Sequence, residues 1–223
     1  MRFRFITILL TCALAGSAQP LVLAHHDAFD SYYDLDTKCP ALVVWTLSYK
    51  DFQGALKPTS RHFKTDTQLP PPRVKDKHLK RSGYVRGHLC PAADRDTDKA
   101  LLKQTYLTSN MAPMTMVCNS GPWKAVEDTI RHIAKTHHTV LTAAGTIFTD
   151  SILGVHTVEN ISVPAAFFRV ARCTAHPTEI WIWLVQNSQS GSQPVRIGTN
   201  ELQDVLHPRV NVISLLKNLQ IID

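Results

Sequence analysis

Runs of apolar residues divide the chain into segments that are typical of strands. Residues 41–49 are rich in β-branched and aromatic side chains and predict a buried strand. Three runs in the second half of the chain have the same character, at residues 139–148, 163–173 and 179–186. We therefore expect a strand at each of these four segments.

Helical patterns lie between and after these runs. Residues 96–104 predict a short helix with Asp96 or Thr97 as its cap. Pro122 opens a stronger helical pattern that continues to about Lys135, since proline suits the first turn of a helix. Two short helices are expected near the C-terminus, and residues 50–82 predict a long polar loop. Strands, then a helix, then more strands favour one α+β domain.

The first residues have the pattern of a secretory signal peptide. Arg2 and Arg4 precede eleven largely apolar residues, and small residues follow up to Ala24. The apolar run is shorter than the roughly 20 residues that a membrane-spanning helix needs. We expect cleavage before His25, which leaves residues 25–223 as the mature domain, exported to the periplasm or the medium without stable membrane insertion.

Charge and cysteine content fit an exported protein with a polyanionic partner. The chain has 223 residues, an apolar fraction of 44% and a net charge of +6, which becomes +4 once Arg2 and Arg4 are removed. Four cysteines would remain, and in an oxidising compartment they predict two disulfides with three possible connectivities. A bridge between Cys90 and Cys118 would join the two segments discussed next. The four are Cys39, Cys90, Cys118 and Cys173.

Two segments carry residues suited to phosphate chemistry. In the first, Arg86-Gly87-His88 places a histidine beside an arginine that can bind phosphate oxygens. Alone, this tripeptide is weak evidence, because most histidines are structural.

In the second segment, Asn119 is followed at four-residue steps by Trp123, Glu127 and Arg131. On a helix these positions form one drifting stripe. The amide oxygen of Asn119 can bind a hard cation such as magnesium, which keeps several waters and takes few protein ligands. A helix cap, a core tryptophan and a surface ion pair would explain the same residues separately. The combination of both segments favours the functional interpretation.

Together the two segments resemble the DNA/RNA non-specific endonuclease family, whose ββα-metal (His-Me finger) site carries Asp-Arg-Gly-His and Asn-x-Gly-x-Trp-x-x-x-Glu-x-x-x-Arg. The resemblance extends over about residues 33–217. The first motif is matched by Arg86, Gly87 and His88, and the second by Asn119, Gly121, Trp123, Glu127 and Arg131. Arg61 resembles the family's upstream arginine. The chain departs from the motif at Val85, where the family has aspartate.

The resemblance implies a mixed, mainly antiparallel sheet with helices, and a Mg²⁺-dependent endonuclease that cuts DNA and RNA with little sequence preference, giving 5′-phosphate ends. Mn²⁺ or another divalent cation could replace Mg²⁺, and some family members dimerise. His88 would be the general base and Asn119 the metal ligand. Arg61 and Arg86 would add positive charge at the phosphate. Glu127 and Arg131 would orient Asn119 and the metal-bound waters.

Two other interpretations remain open. The chain could be a nucleic-acid-binding protein that keeps the fold without activity, which the departure at Val85 would favour. Alternatively, cleavage after Ala24 would place His25 and His26 at the amino terminus, where they could bind copper. Several basic residues are candidates for substrate phosphates: Lys75, Lys77, Lys80, Arg81 and Arg95.

Overall fold

The computed structural model describes residues 21–54, 56–57, 63–148, 157–206 and 211–223. Their strands are β1 Val22–His25, β2 Asp30–Asp34, β3 Cys39–Ser48, β4 Val85–His88, β5 Met111–Met114, β6 Thr139–Ile147, β7 Thr157–Val158, β8 Ile161–Ser162, β9 Ala166–Cys173, β10 Ile180–Gln186 and β11 Val195–Arg196. The helices are α1 Lys99–Gln104, α2 Met116–Cys118, α3 Lys124–His137, α4 Thr199–Val205 and α5 Val212–Asn218, with a π-helical turn at Asn119–Trp123 and short 3₁₀ turns at Tyr49–Phe52, Asp76–Leu79, Ala92–Arg95 and Thr108–Asn110.

Seven strands form one antiparallel sheet in the order β1-β2-β3-β6-β9-β10-β11. The four long apolar runs of the sequence are its central strands β3, β6, β9 and β10, because strands covered on both faces need apolar side chains at nearly every position. Two antiparallel pairs, β4–β5 and β7–β8, lie outside this sheet. The α+β class and the mainly antiparallel sheet are confirmed.

Side chains alternate between the two faces of the sheet, and each face has its own hydrophobic core. On β9, Phe167 and Ala171 face one core, while Phe168 and Val170 face the other. The first core includes Val126, Ile130 and Ala134 of α3, together with residues of β4 and β5. The second core includes apolar residues of α4 and α5. The candidate site is therefore supported by the first face alone.

Two helix boundaries differ from the prediction. Asp98, not Asp96 or Thr97, caps α1, since its Oδ1 accepts hydrogen bonds from the backbone N–H groups of Ala100 (2.6 Å) and Leu101 (3.0 Å). Pro122 does not open a helix; it lies inside the π-helical turn that joins α2 to α3. The chain is thus helical from α2 through α3, with one wider turn in between.

The expected cleavage bond, between Ala24 and His25, lies within β1. There Ala24 is fully buried and pairs with Ser31 of β2. Cleavage at this bond would remove most of β1 from the edge of the sheet.

The expected disulfides do not form. Cys39, Cys90, Cys118 and Cys173 are all buried free thiols, so the suggested Cys90–Cys118 bridge is also wrong for this structure. Among the residues that the structure describes, no helix combines the length and apolar character needed to cross a bilayer.

Candidate active site

The hairpin β4–β5 positions His88. Its register pairs His88 with Met111 and Gly87 with Ala112. A Cβ atom on Gly87 would lie 2.6 Å from Cε and 2.9 Å from Cβ of Met114, so a larger residue here would force the Met114 side chain on the paired strand to move. The carbonyl of His88 accepts a hydrogen bond from Trp123 Nε1 (3.0 Å), which ties the end of β4 to the helical segment.

Buried Asn110 holds the chain directly after His88. Its Oδ1 accepts from the backbone N–H of Cys90 (2.7 Å), and its Nδ2 donates to the carbonyls of Cys90 (2.8 Å) and Thr105 (2.9 Å). The carbonyl of Asn110 accepts from Leu89 N–H (3.0 Å). Because all these groups are buried and satisfied, the segment that carries His88 is held rigidly.

The imidazole of His88 packs against two aromatic rings that also contact each other, with ring centroids 5.4 Å apart. Phe63 and Tyr106 each have their ring centroid 4.7 Å from that of His88. Atom Nε2 is buried and has no hydrogen-bond partner among the described residues. Burial, and secondarily the positive charge of Arg86, lowers the pKa of His88 from 6.5 to about 4. The ring is therefore neutral at physiological pH.

The π-helical turn directs Asn119 and Trp123 to different environments. Asn119 lines an open cleft of about 790 Å³ that His88 also lines, whereas Trp123 is buried in the core against Phe167. The wider turn explains why two residues four apart diverge, instead of continuing one stripe as in a regular α-helix.

The cleft combines charges of both signs around Asn119 and His88. Its acidic lining residues are Asp96, Glu127 and Asp128, and its permanently basic ones are Lys124, Arg131 and Lys135. Hard cations prefer carboxylate and amide oxygens. The cleft therefore offers oxygen donors for a divalent ion, and positive groups for an anionic substrate.

Beneath the cleft, a buried group of charges joins the sheet to α3. Asp94 accepts hydrogen bonds from Arg131 Nη1 (2.8 Å) and Trp45 Nε1 (3.1 Å). Arg169, on β9, is fully buried with its guanidinium 4.2 Å from the ring centroid of Trp123. It donates to the carbonyl of Leu89, next to His88, while its Nε and Nη1 have no partner among the described residues.

Glu127 is bound only loosely within this group. Its carboxylate oxygens lie 3.7 Å from Arg169 Nη2 and 4.0 Å from Arg131 Nη2. The expected Glu127–Arg131 pair is thus long, because Arg131 pairs more closely with Asp94 (2.8 Å) and with Asp128 (2.5 Å). Burial raises the pKa of Glu127 to about 7, although Arg169 and Arg131 act in the opposite direction.

A carboxylate reaches Arg86 although Val85 replaces the family aspartate. Asp76 Oδ1 accepts from Arg86 Nη1 (2.6 Å) and from the backbone N–H of Phe63 (3.1 Å). Asp76 is therefore linked both to Arg86 and to the backbone of Phe63, whose ring packs against His88.

The other predicted residues lie in different places. Arg61 is outside the described residues. Arg95, a candidate for substrate phosphates, is buried and donates to the carbonyls of Ala28, Thr46 and Asp94, so its role is structural. None of the basic residues between 75 and 81 lines the cleft.

The copper interpretation loses one of its two ligands. His26 is nearly buried and its Nε2 lies 2.7 Å from Asp66 Oδ2, while the backbone N–H of His25 donates to Gln68 Oε1 (2.8 Å). The His26 imidazole is therefore engaged, whereas the His25 imidazole is exposed and pairs with Asp30 (2.5 Å).

Several residues of the site escaped the sequence analysis. Arg169, inside the apolar run of β9, and Asp76, within a basic loop, are unusual residues for their segments. Nothing in the local sequence connects either of them to the two motifs. Phe63 and Tyr106 carry no local signal at all. The missed residues are Phe63, Asp76, Asp94, Tyr106 and Arg169.

A histidine on a two-stranded hairpin, followed by a helical segment with an asparagine in the same cleft, defines a ββα site. The DNA/RNA non-specific endonuclease family model matches residues 14–214, and the chain belongs to this family.

Curated relatives agree with this assignment, and a solved structure shares the fold. The chain is 22% identical to human mitochondrial nuclease EXOG over 214 residues, covering 86% of this chain and 58% of that protein. It is 32% identical to a nuclease of Syncephalastrum racemosum over 138 residues, covering 53% and 42%. The chain spans about half the length of the curated relatives it matches. The EndoG/EndoGI complex crystal structure contains a similar fold, with a TM-score of 0.73, 21% identity and 84% of each chain covered.

Proposed function

We propose that this protein is an exported, Mg²⁺-dependent endonuclease that hydrolyses DNA and RNA with little sequence preference, leaving 5′-phosphate ends. The observation that carries the proposal is the presence of neutral His88 and Asn119 in one cleft, within a chain of the non-specific endonuclease family. The names of the relatives, nucleases and endonuclease G, support the substrate class.

His88 is proposed as the general base. A neutral imidazole can accept a proton from water, which then attacks the phosphorus while the bond to the 3′-oxygen breaks. Because Nε2 is buried, we assign Nδ1 as the atom that accepts the proton. The two adjacent rings hold the imidazole and the Trp123 hydrogen bond holds the His88 backbone carbonyl before substrate arrives, so little reorganisation is needed during reaction.

The residues of the cleft fit a divalent metal ion. Asn119 would hold the ion through its amide oxygen, and Glu127 and Asp128 would orient its waters and add negative charge. A bound ion in such a site stabilises negative charge on the phosphate and the departing oxygen. Family members depend on a divalent metal, which supports the assignment.

Arginines supply the remaining positive charge. Arg86, held by Asp76, lies on the strand of His88, and Arg131 lines the cleft. We propose that Arg86 stabilises the phosphate in the transition state and that Arg131, held by Asp94, keeps Glu127 and the helix in position. Arg61 is proposed for the same phosphate on the basis of the family motif.

The experiment is to compare His88→Ala with the wild type on plasmid DNA and on RNA, in Mg²⁺ and in EDTA. General-base removal should lower the rate by at least about 100-fold on both substrates. His25→Ala is the matched control, because this histidine is exposed and does not line the cleft. Full activity of His88→Ala would refute the base assignment. Tight substrate binding without products in any condition would make the wild-type protein a binder, not an enzyme.

Export is proposed from the pattern of residues 1–24 and is tested separately. Mass spectrometry of protein recovered from the periplasm or the medium would give the mature N-terminus. Recovery of the intact chain in the cytoplasm alone would refute export.

A further inference from the structure

We propose a second metal site, for a Zn²⁺-like ion, where the C-terminal end of α3 meets the β9–β10 hairpin. His137, Cys173 and Glu179 each offer one donor atom there, and the three atoms lie within 4.8 Å of one another. None of these residues lines the cleft of His88 and Asn119. The site does not depend on the proposed nuclease function.

The donor set is suited to zinc and not to magnesium. Thiolate and imidazole are preferred by Zn²⁺, whereas Mg²⁺ takes oxygen ligands. For bonds of about 2.3 Å to sulfur and 2.0–2.1 Å to nitrogen, a tetrahedral site places those two ligand atoms about 3.5 Å apart. Cys173 Sγ and His137 Nδ1 are 3.5 Å apart. The two ligands are therefore already at the separation that a tetrahedral ion requires.

The surroundings provide the other features of a metal site. The backbone N–H of His176 donates to Cys173 Sγ (3.3 Å), an interaction that stabilises a thiolate. Glu179 Oε2 lies 3.6 Å from His137 Nε2, the ring nitrogen that would not bind the ion. The Glu179 side chain is more than one-third exposed, so its carboxylate can rotate toward the ion. The ring of His176, 6.4 Å from that of His137, can supply the fourth ligand from an exposed turn.

The position of the site indicates a structural role. Its ligands come from α3, the end of β9 and the turn before β10, so one ion would connect the helix to the sheet. His137 lies ten residues, or about 15 Å, beyond Glu127 along the helix. The ion would thus stabilise the end of the helix that is remote from the proposed chemistry, and its binding energy would add to folding stability.

The test uses the full chain, first stripped with a chelator and then titrated with Co²⁺. We expect one equivalent to produce a thiolate-to-cobalt charge-transfer band, which Zn²⁺ then abolishes because it binds such ligands more tightly. Excess Mg²⁺ should leave the band unchanged. Zn²⁺ should also raise the melting temperature. Both readings are independent of nuclease activity.

Variants assign the band to this site. Cys173→Ser should abolish it, while Cys39→Ser should keep it, because Cys39 is also buried but donates only to the carbonyl of Ser162. His137→Gln and Glu179→Gln change partly exposed side chains, so the fold should survive, and each should weaken Co²⁺ binding more than about 100-fold. Absence of the band in the wild type, or unchanged Co²⁺ affinity in these two variants, would overturn the proposal.

Discussion

Replacing Arg169 by methionine tests how much the buried charges beneath the cleft contribute to stability. The guanidinium is fully buried, stacks on Trp123 at 4.2 Å, donates to the Leu89 carbonyl and lies 3.7 Å from Glu127. Methionine is close to it in shape but keeps none of these polar interactions. Removing one member of a buried ion pair costs about 3–5 kcal/mol.

Protonation of Glu127 should reduce that cost. Its pKa is about 7, with burial raising it and Arg169 lowering it, so loss of Arg169 raises the pKa further and the carboxyl takes up a proton near neutral pH. We therefore expect a net loss of about 3 kcal/mol, or a melting temperature lower by about 6–12 °C for a chain of this size.

The loss should also depend on pH. A carboxyl whose folded pKa exceeds its unfolded value of 4.5 contributes stability that is lost as pH rises through the folded pKa. In the variant this loss continues above 7, so the difference from wild type should grow between about pH 6 and pH 9.

Urea unfolding of wild type and variant at about pH 6 and about pH 9 measures the difference in the free energy of unfolding. Arg196→Met is the matched control, because Arg196 stacks on Trp183 at 4.8 Å but is exposed, and its loss should cost less than about 1 kcal/mol. An equally small loss for Arg169→Met, or one that does not change with pH, would refute the reasoning.

Three further predictions concern the hairpin and its charges. In a Glu127→Gln variant, which removes the carboxyl that titrates near pH 7, kcat/KM should stay constant down to about pH 5 and fall near pH 4, the value to which burial and then Arg86 lower the pKa of His88, because only the neutral imidazole accepts a proton; an acid limb near 6.5 in this variant would contradict the assignment. Asp76→Asn removes the carboxylate partner of Arg86 and should lower kcat about tenfold, since losing one partly exposed charged hydrogen bond costs about 1.4 kcal/mol, and an unchanged kcat would exclude this role. Gly87→Ala should lower the free energy of unfolding by about 1–3 kcal/mol through the clash with the paired strand, whereas Gly121→Ala, with no atom within 4 Å of its Cβ position, should leave it nearly unchanged; equal urea midpoints would refute the difference.

Much of the fold was predictable because long apolar runs are a local signal. Strands β3, β6, β9 and β10 coincide with the four predicted runs to within about three residues. Strands β4 and β5, which carry the site, were not identified as strands. Each has four residues and contains Gly87 or Pro113, so neither shows a period of two that could be recognised.

The residues of the candidate site were likewise only partly predictable from the sequence. His88 and Asn119 were identified because residue type and spacing within two short motifs are themselves local information. Asp76 and Arg169 were missed because their role depends on which strands and loops are neighbours in space. Asp76 is ten residues from Arg86 in sequence, and Arg169 is eighty from the Leu89 carbonyl that it binds.

The sequence alone therefore determined the family resemblance, the central strands, and the base and metal ligand that we propose. The tertiary structure decided which carboxylate replaces the missing aspartate, which charges support the helix, and where His137, Cys173 and Glu179 meet. The physical reason is that apolar periodicity and motif spacing act over a few residues. Ion pairs and metal ligands, in contrast, are selected by the order of strands in the sheet, which brings together residues that no local pattern connects.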